Sequence, residues 1–135
     1  MQIGELARQC GVSIDTVRYY EKQQLLLCEG RSAGGYRQFG QQAINQLSFI
    51  IKAKALGFTL KEIKELLAIK ISPNDFECAE VKAMADAKLE SIETKMQELQ
   101  QMHNALAHIS RQCCGGSEPA TDCSIIDSLS QEGGL

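Results

Sequence analysis

"IGELARQCGVSIDTVRYYEKQQLL", residues 3–26, decides the fold. Ile3, Leu6, Ala7 and Cys10 fall at i, i+3, i+4 and i+7, the spacing of one apolar face on a short helix, and Gly11 follows as a stop. Ser13 suits the N-cap of a second helix through residues 14–23, on which Val17 faces back toward the first. Two short helices joined by a glycine-containing turn make a helix-turn-helix. Taken alone, these residues fit a generic helical hairpin equally well.

The next stretch, "RSAGGYRQFG" at residues 31–40, sets a Gly-Gly pair between residues suited to strands. It predicts a β-hairpin carrying Arg31 and Arg37, and hence a winged helix-turn-helix. Ile44, Leu47 and Ile51 mark a third helix closed by Gly57. "TLKE" then supplies a capping box, Thr59 with Glu62, for a fourth helix with Leu60, Ile63 and Leu67 as its buried stripe and Pro73 as its end.

From Asp75 to about Arg111 there is neither Gly nor Pro. Ala85, Leu89, Ile92, Met96, Leu99, His103 and Leu106 alternate steps of four and three, the seam of a coiled coil. So narrow a stripe needs a partner helix, and a homodimer is the economical expectation. His103 reads as a seam residue rather than a ligand. The expected organisation is mainly α: a DNA-binding domain over 1–72, a dimerisation helix over 73–112 and a C-terminal loop with a short helix over 113–135.

Composition supports that division. Six of the seven aromatic residues lie in the first 58, so a compact N-terminal core precedes a thin C-terminal seam. The formal net charge of −3 hides a split. Residues 1–72 carry ten Lys/Arg against six Asp/Glu, and residues 73–135 carry four against eleven. The basic part can face phosphates while the acidic part stays in solvent. Apolar runs are far too short to span a bilayer, so no membrane partner is expected and the chain reads as cytoplasmic.

In that compartment thiols stay reduced, which disfavours a disulfide framework for the six cysteines and leaves metal binding or redox sensing. Three of the six lie in "CCGGSEPATDC", residues 113–123. Cys78 lies in the first turn of the long helix and 35 positions before Cys113, roughly 50 Å away at 1.5 Å per residue. One chain's Cys78 therefore cannot share an ion with its own Cys113 or Cys114. In a parallel dimer the two groups never meet; in an antiparallel one, Cys78 of the partner subunit lies beside Cys113, Cys114 and Cys123. "SIIDSLSQ" can cap the loop as a short helix through Ile125, Ile126 and Leu129. Thiolates suit Zn(II), Cd(II), Pb(II), Hg(II) or Cu(I). Cys10 and Cys28 read as structural.

The opening stretch, the wing "RSAGGYRQF" and "LGFTLKEIKELL" together resemble the MerR family of transcriptional regulators, over essentially the whole chain. The pattern of Cys78 followed by "CCG…CSI" is similar to the family's zinc-responsive branch. The resemblance implies an antiparallel coiled-coil homodimer that binds promoter DNA, acts on RNA polymerase by distorting the promoter, and holds metal in a site built by both protomers. Thr16, Val17, Arg18 and Tyr19, with Tyr36 and Arg37 on the wing, match its DNA-contacting positions. Cys113 and Cys123 would hold one ion and Cys114 a second, with the partner's Cys78 bridging both. The branch has a histidine in the second-ion set where this chain has Glu118; a carboxylate can ligate, and His108 is the alternative donor. A third thiolate at Cys78 separates the chain from the copper-responsive branch and favours a divalent ion.

Two other function classes fit the sequence less well. A metal-buffering protein with a vestigial helix-turn-helix does not explain an intact basic wing. An enzyme is disfavoured, because the sequence has no phosphate-binding glycine loop, no HExxH and no nucleophile–base pair.

Overall fold

The computed structural model describes residues 1–26, 28 and 30–130. Six α-helices and one two-stranded ribbon are present among them: α1 Ile3–Cys10, α2 Ile14–Lys22, β1 Gly30–Arg31, β2 Arg37–Gln38, α3 Gln41–Ala55, α4 Leu60–Ile71, α5 Cys78–Arg111 and α6 Ser124–Ser130. The chain divides into two compact units, Met1–Met84 and the part from Ala85 onward.

The expected stop of α1 and start of α2 hold. Gly11 ends α1 in the left-handed region at φ 70°, and the Ser13 side chain accepts from the Thr16 N–H to start α2. The ribbon is antiparallel, pairing Gly30 with Gln38 and Arg31 with Arg37. Its far end is tied to the chain start, where Met1 and Phe39 exchange two backbone hydrogen bonds of 2.6 and 2.7 Å.

Leu6, Val17, Leu26, Phe39, Leu47, Ile50 and Ile63 are fully buried together, so α1 to α4 and the ribbon share one core. The stripe on α3 differs from the expected one: Ala43, Leu47, Ile50 and Ala53 are buried, while Ile44 and Ile51 are half-buried at its margins. On α4 the buried residues are Ile63 and Leu67, with Leu60 at the edge. The capping box is complete, the Glu62 N–H reaching Thr59 Oγ1 at 3.2 Å and the Thr59 N–H reaching Glu62 Oε1 at 2.8 Å.

The long helix starts three residues later than expected. Pro73–Asp75 forms a turn of 3-10 helix and Phe76 is extended, so α5 opens at Cys78 and runs unbroken for 34 residues. It has no buried residue. Its seam stands open in the single chain, with Met96, Leu99 and Leu106 at least 60% exposed.

Removing the reciprocal cap is expected to weaken the first unit. Thr59→Ala should lower unfolding stability by about 1 kcal/mol. Urea denaturation followed by circular dichroism checks this; an unchanged midpoint would show that the box contributes nothing.

Candidate nucleic-acid interface and metal centre

Arginines gather around one cleft of the first unit. Arg18, from the exposed face of α2, lines a concavity of about 250 Å³ together with Arg31, Gly35, Tyr36 and Arg37 of the ribbon and Gln2 and Ile3. Arg31 and Arg37 are direct cross-strand partners, an arrangement that like charges make unfavourable. Each is held by something else. Arg31 Nη1 donates to the Gly35 carbonyl at 2.9 Å, and Arg37 Nε lies 3.2 Å from Glu21 Oε1 on α2. A partly exposed ion pair adds little stability. It aims the wing arginine and ties the ribbon to α2.

Arg18, Tyr19 and Tyr36 are exposed, as a duplex contact requires. Thr16 is half-buried, its hydroxyl 2.9 Å from that of Ser13. Val17 corrects the sequence reading. Its side chain is fully buried in the core, so it supports α2 from beneath and offers no surface to a partner. Arg31 and Glu21 belong to this surface although they were absent from the expected contacts. The sequence signal for them was the pairing of two arginines across one tight turn.

The second unit carries Cys113, Cys114 and Cys123. Cys113 Sγ and Cys123 Sγ are 3.9 Å apart. Two thiolates on one tetrahedral ion at 2.3 Å stand about 3.8 Å apart, whereas a linear pair at that bond length would need about 4.6 Å. Within the single chain the two thiols are in hydrogen-bond contact, at a spacing that one tetrahedral ion could bridge. The Gly115 N–H approaches Cys113 Sγ at 3.4 Å. The backbone N–H groups of Ile126 and Ile125, at the start of α6, hydrogen-bond the Cys123 sulfur and hold its thiol below the ordinary cysteine range, against an opposing desolvation.

Cys114 turns the other way, its thiol donating to Glu118 Oε2 at 3.7 Å. The Glu118 carboxylate lies directly over Gly116, where a Cβ would collide with it. Cys113, Cys114, Glu118 and Cys123 line one open cavity of about 550 Å³. His108 engages the Gln112 amide, which donates to Nε2 at 3.3 Å. Among the described residues, no three His, Cys, Asp or Glu side chains converge to hold an ion within one chain.

Cys10 and Cys28 are half-buried against the core of the first unit. Burial pushes the Cys10 thiol above its ordinary value, partly offset by a hydrogen bond with Ser48, which suits a structural thiol. Among the described residues no helix is long and apolar enough to cross a membrane.

Residues 1–69 match the MerR HTH family regulatory protein domain, and residues 44–109 match the MerR DNA-binding domain. The HTH-type transcriptional regulator ZntR of Escherichia coli strain K12 is 41% identical over 130 residues, covering 96% of this chain and 92% of that protein. The transcription regulator PbrR691 from Ralstonia metallidurans CH34, solved in complex with lead(II), superposes with a TM-score of 0.83 at 35% identity, covering 96% of this chain and 99% of that one. The dual-function regulator MerR of Bacillus megaterium MB1, solved with mercury(II), gives 0.68 at 34% identity over 97% of this chain and 100% of that one.

Because the N–H groups of α6 stabilise the charged form of Cys123, its thiolate should persist to lower pH than that of a free cysteine. In metal-free protein, the pH profile of Cys123 alkylation by iodoacetamide should have its midpoint below that of cysteine in a blocked peptide. A midpoint at or above the peptide's would contradict the role of α6.

Proposed function

The chain belongs to the MerR family of regulatory proteins, and from that premise we propose that it is a homodimeric metal-responsive transcriptional activator governed by Zn(II). It is a regulator, not an enzyme. Residues 1–72 bind promoter DNA, 73–112 dimerise as an antiparallel coiled coil, and 113–135 form the metal loop. In the cytoplasm it acts on RNA polymerase at promoters of metal-resistance or efflux genes.

The observation that carries this reading is the Cys113–Cys123 pair, spaced for two thiolates of one tetrahedral ion. A pair alone leaves such a site half-built. Cys78, exposed at the start of α5, is the missing thiolate when it comes from the partner subunit. The open seam of α5 gives the dimer its reason, because apolar side chains at that spacing gain stability only against a second helix. Cys114 and Glu118 supply the donors for a second ion beside the first.

On the DNA side, Arg18 and Arg37 meet phosphates or base edges, with Tyr19, Tyr36 and the half-buried Thr16 alongside. Arg31 adds charge from the opposite strand of the wing. Activation follows linkage. The protein conformation that distorts the promoter must bind the ion more tightly than the repressing one, by the factor that binding shifts the balance. Bound at thiolates, the ion supplies a positive charge and fixed coordination that join two chains.

Three measurements test this. Arg18→Ala should weaken operator binding roughly tenfold or more and lower the salt slope by about one, with metal affinity changed by no more than a few-fold. Unchanged anisotropy on operator DNA would remove α2 from the interface. A promoter–reporter titration should respond to Zn(II) at lower concentration than to Cd(II), Pb(II), Hg(II) or copper; a lead or mercury response at lower dose would replace zinc as the inducer. Finally, a chain lacking Cys78 can be mixed with one lacking Cys113, Cys114 and Cys123. The purified heterodimer should regain one complete end, half the wild-type high-affinity stoichiometry. No recovery would rule out a site shared between protomers.

A further inference from the structure

The cysteine loop is closed by residues that carry no sulfur. Gln112 immediately precedes the Cys113–Cys114 pair, and Ser124 immediately follows Cys123. Ser124 Oγ donates to the Gln112 carbonyl at 2.8 Å. One turn further along α6, Ser128 Oγ reaches Gln112 Oε1 at 3.5 Å. The same Gln112 side chain donates backward to His108 Nε2 on α5, so one residue binds the last turn of α5 to both ends of α6's polar face.

Within the single chain, the apolar residues of α6 do little of this work. Ile126 and Leu129 are more than half exposed, and Ile125 is half-buried. Polar contacts hold the helix down instead. They also set the sulfurs, since Ser124 and Gln112 are the nearest neighbours in sequence of Cys123 and Cys113. Fixing one pair of neighbours at 2.8 Å leaves the other pair little freedom to separate.

We propose that Gln112, Ser124 and Ser128 form a clamp that presets the Cys113–Cys123 spacing before any ion arrives and thereby tunes metal affinity. This rests on the reading of Cys113 and Cys123 as ligands. The physical reason is entropic. The loop between the two cysteines contains Gly115 and Gly116, which leave its backbone unusually free. Without the clamp, an arriving ion would itself have to immobilise that loop, and the lost freedom would appear as weaker binding. These three residues are therefore positioning residues, one step removed from the ion.

The test compares full-length Ser124→Ala, Ser124→Thr and Gln112→Met with wild type and Cys113→Ser, in two readouts. Cd(II) titration against a competing chelator gives affinity, and its thiolate charge-transfer band reports which sulfurs bind. In the metal-free arm every chain carries Cys114→Ser, and the Cys113–Cys123 disulfide is measured at equilibrium with glutathione. There, two thiols and one oxidised glutathione give one protein disulfide and two reduced glutathiones. Ser124→Ala should weaken Cd(II) roughly tenfold, the scale of one lost hydrogen bond, with the band per ion unchanged. It should lower the disulfide equilibrium by a similar factor. Ser124→Thr, which keeps the hydroxyl, should restore both, and Gln112→Met should weaken both less than Ser124→Ala because its carbonyl remains. Wild-type values for Ser124→Ala in both arms would overturn the clamp. A Cys113→Ser chain that keeps the full charge-transfer band would overturn the ligand assignment instead, and the glutathione arm would still decide the clamp.

Discussion

The bare seam of α5 is the constraint on which the rest depends. A helix of 34 residues with no buried side chain cannot owe its stability to contacts within its own chain. Leu89, Met96, Leu99 and Leu106 recur at the spacing that a second helix covers, so the functional molecule is a pair. Pairing also explains the incomplete thiolate set. The loop offers two sulfurs 3.9 Å apart and a third cysteine turned toward a carboxylate, and on the proposed reading it takes a further donor from the partner. On the proposed reading, dimerisation and metal sensing become one requirement, because the seam that joins the chains would make a shared site possible.

The first unit solves a different problem, the crowding of positive charge. Arg18, Arg31 and Arg37 around one cleft repel one another in the free protein. The fold tolerates them because the cleft sits on an ordinary apolar core and because Glu21 and the Gly35 carbonyl hold two of the three. A cluster that stability alone would not select is explained by a polyanionic partner. Glu21 has a second effect. By orienting Arg37, it reduces the freedom that this side chain would otherwise lose on meeting a phosphate.

Much of this was legible in the sequence because its signals are local. Glycine at the end of α1, Ser13 before α2 and the Thr59–Glu62 box act within four residues, and each lies where spacing placed it. The start of α5 was misplaced because the absence of Gly and Pro marks only what permits a helix, whereas the 3-10 turn at Pro73–Asp75 delays it. Val17 was expected at the interface only through the family resemblance; its burial agrees with the helix phase, which already faced it toward α1. The Gln112–Ser124–Ser128 contacts have no periodic signature at all. They join positions 12 and 16 apart across an irregular loop, and only three-dimensional closure reveals them.

On the proposed ligand set, Glu118 bears on which ion the site prefers. An imidazole at this position would add a neutral, borderline donor; a carboxylate adds a hard, charged one. In this structure the exposed carboxylate lies over Gly116, and Cys114 sits within reach of it. A mixed sulfur and oxygen set that adds negative charge disfavours monovalent copper, which takes few soft donors and gains least from further charge. It suits mercury poorly for the same lack of softness. The ions that accept both thiolate and carboxylate are the borderline divalent ones, the class to which the proposed inducer Zn(II) belongs.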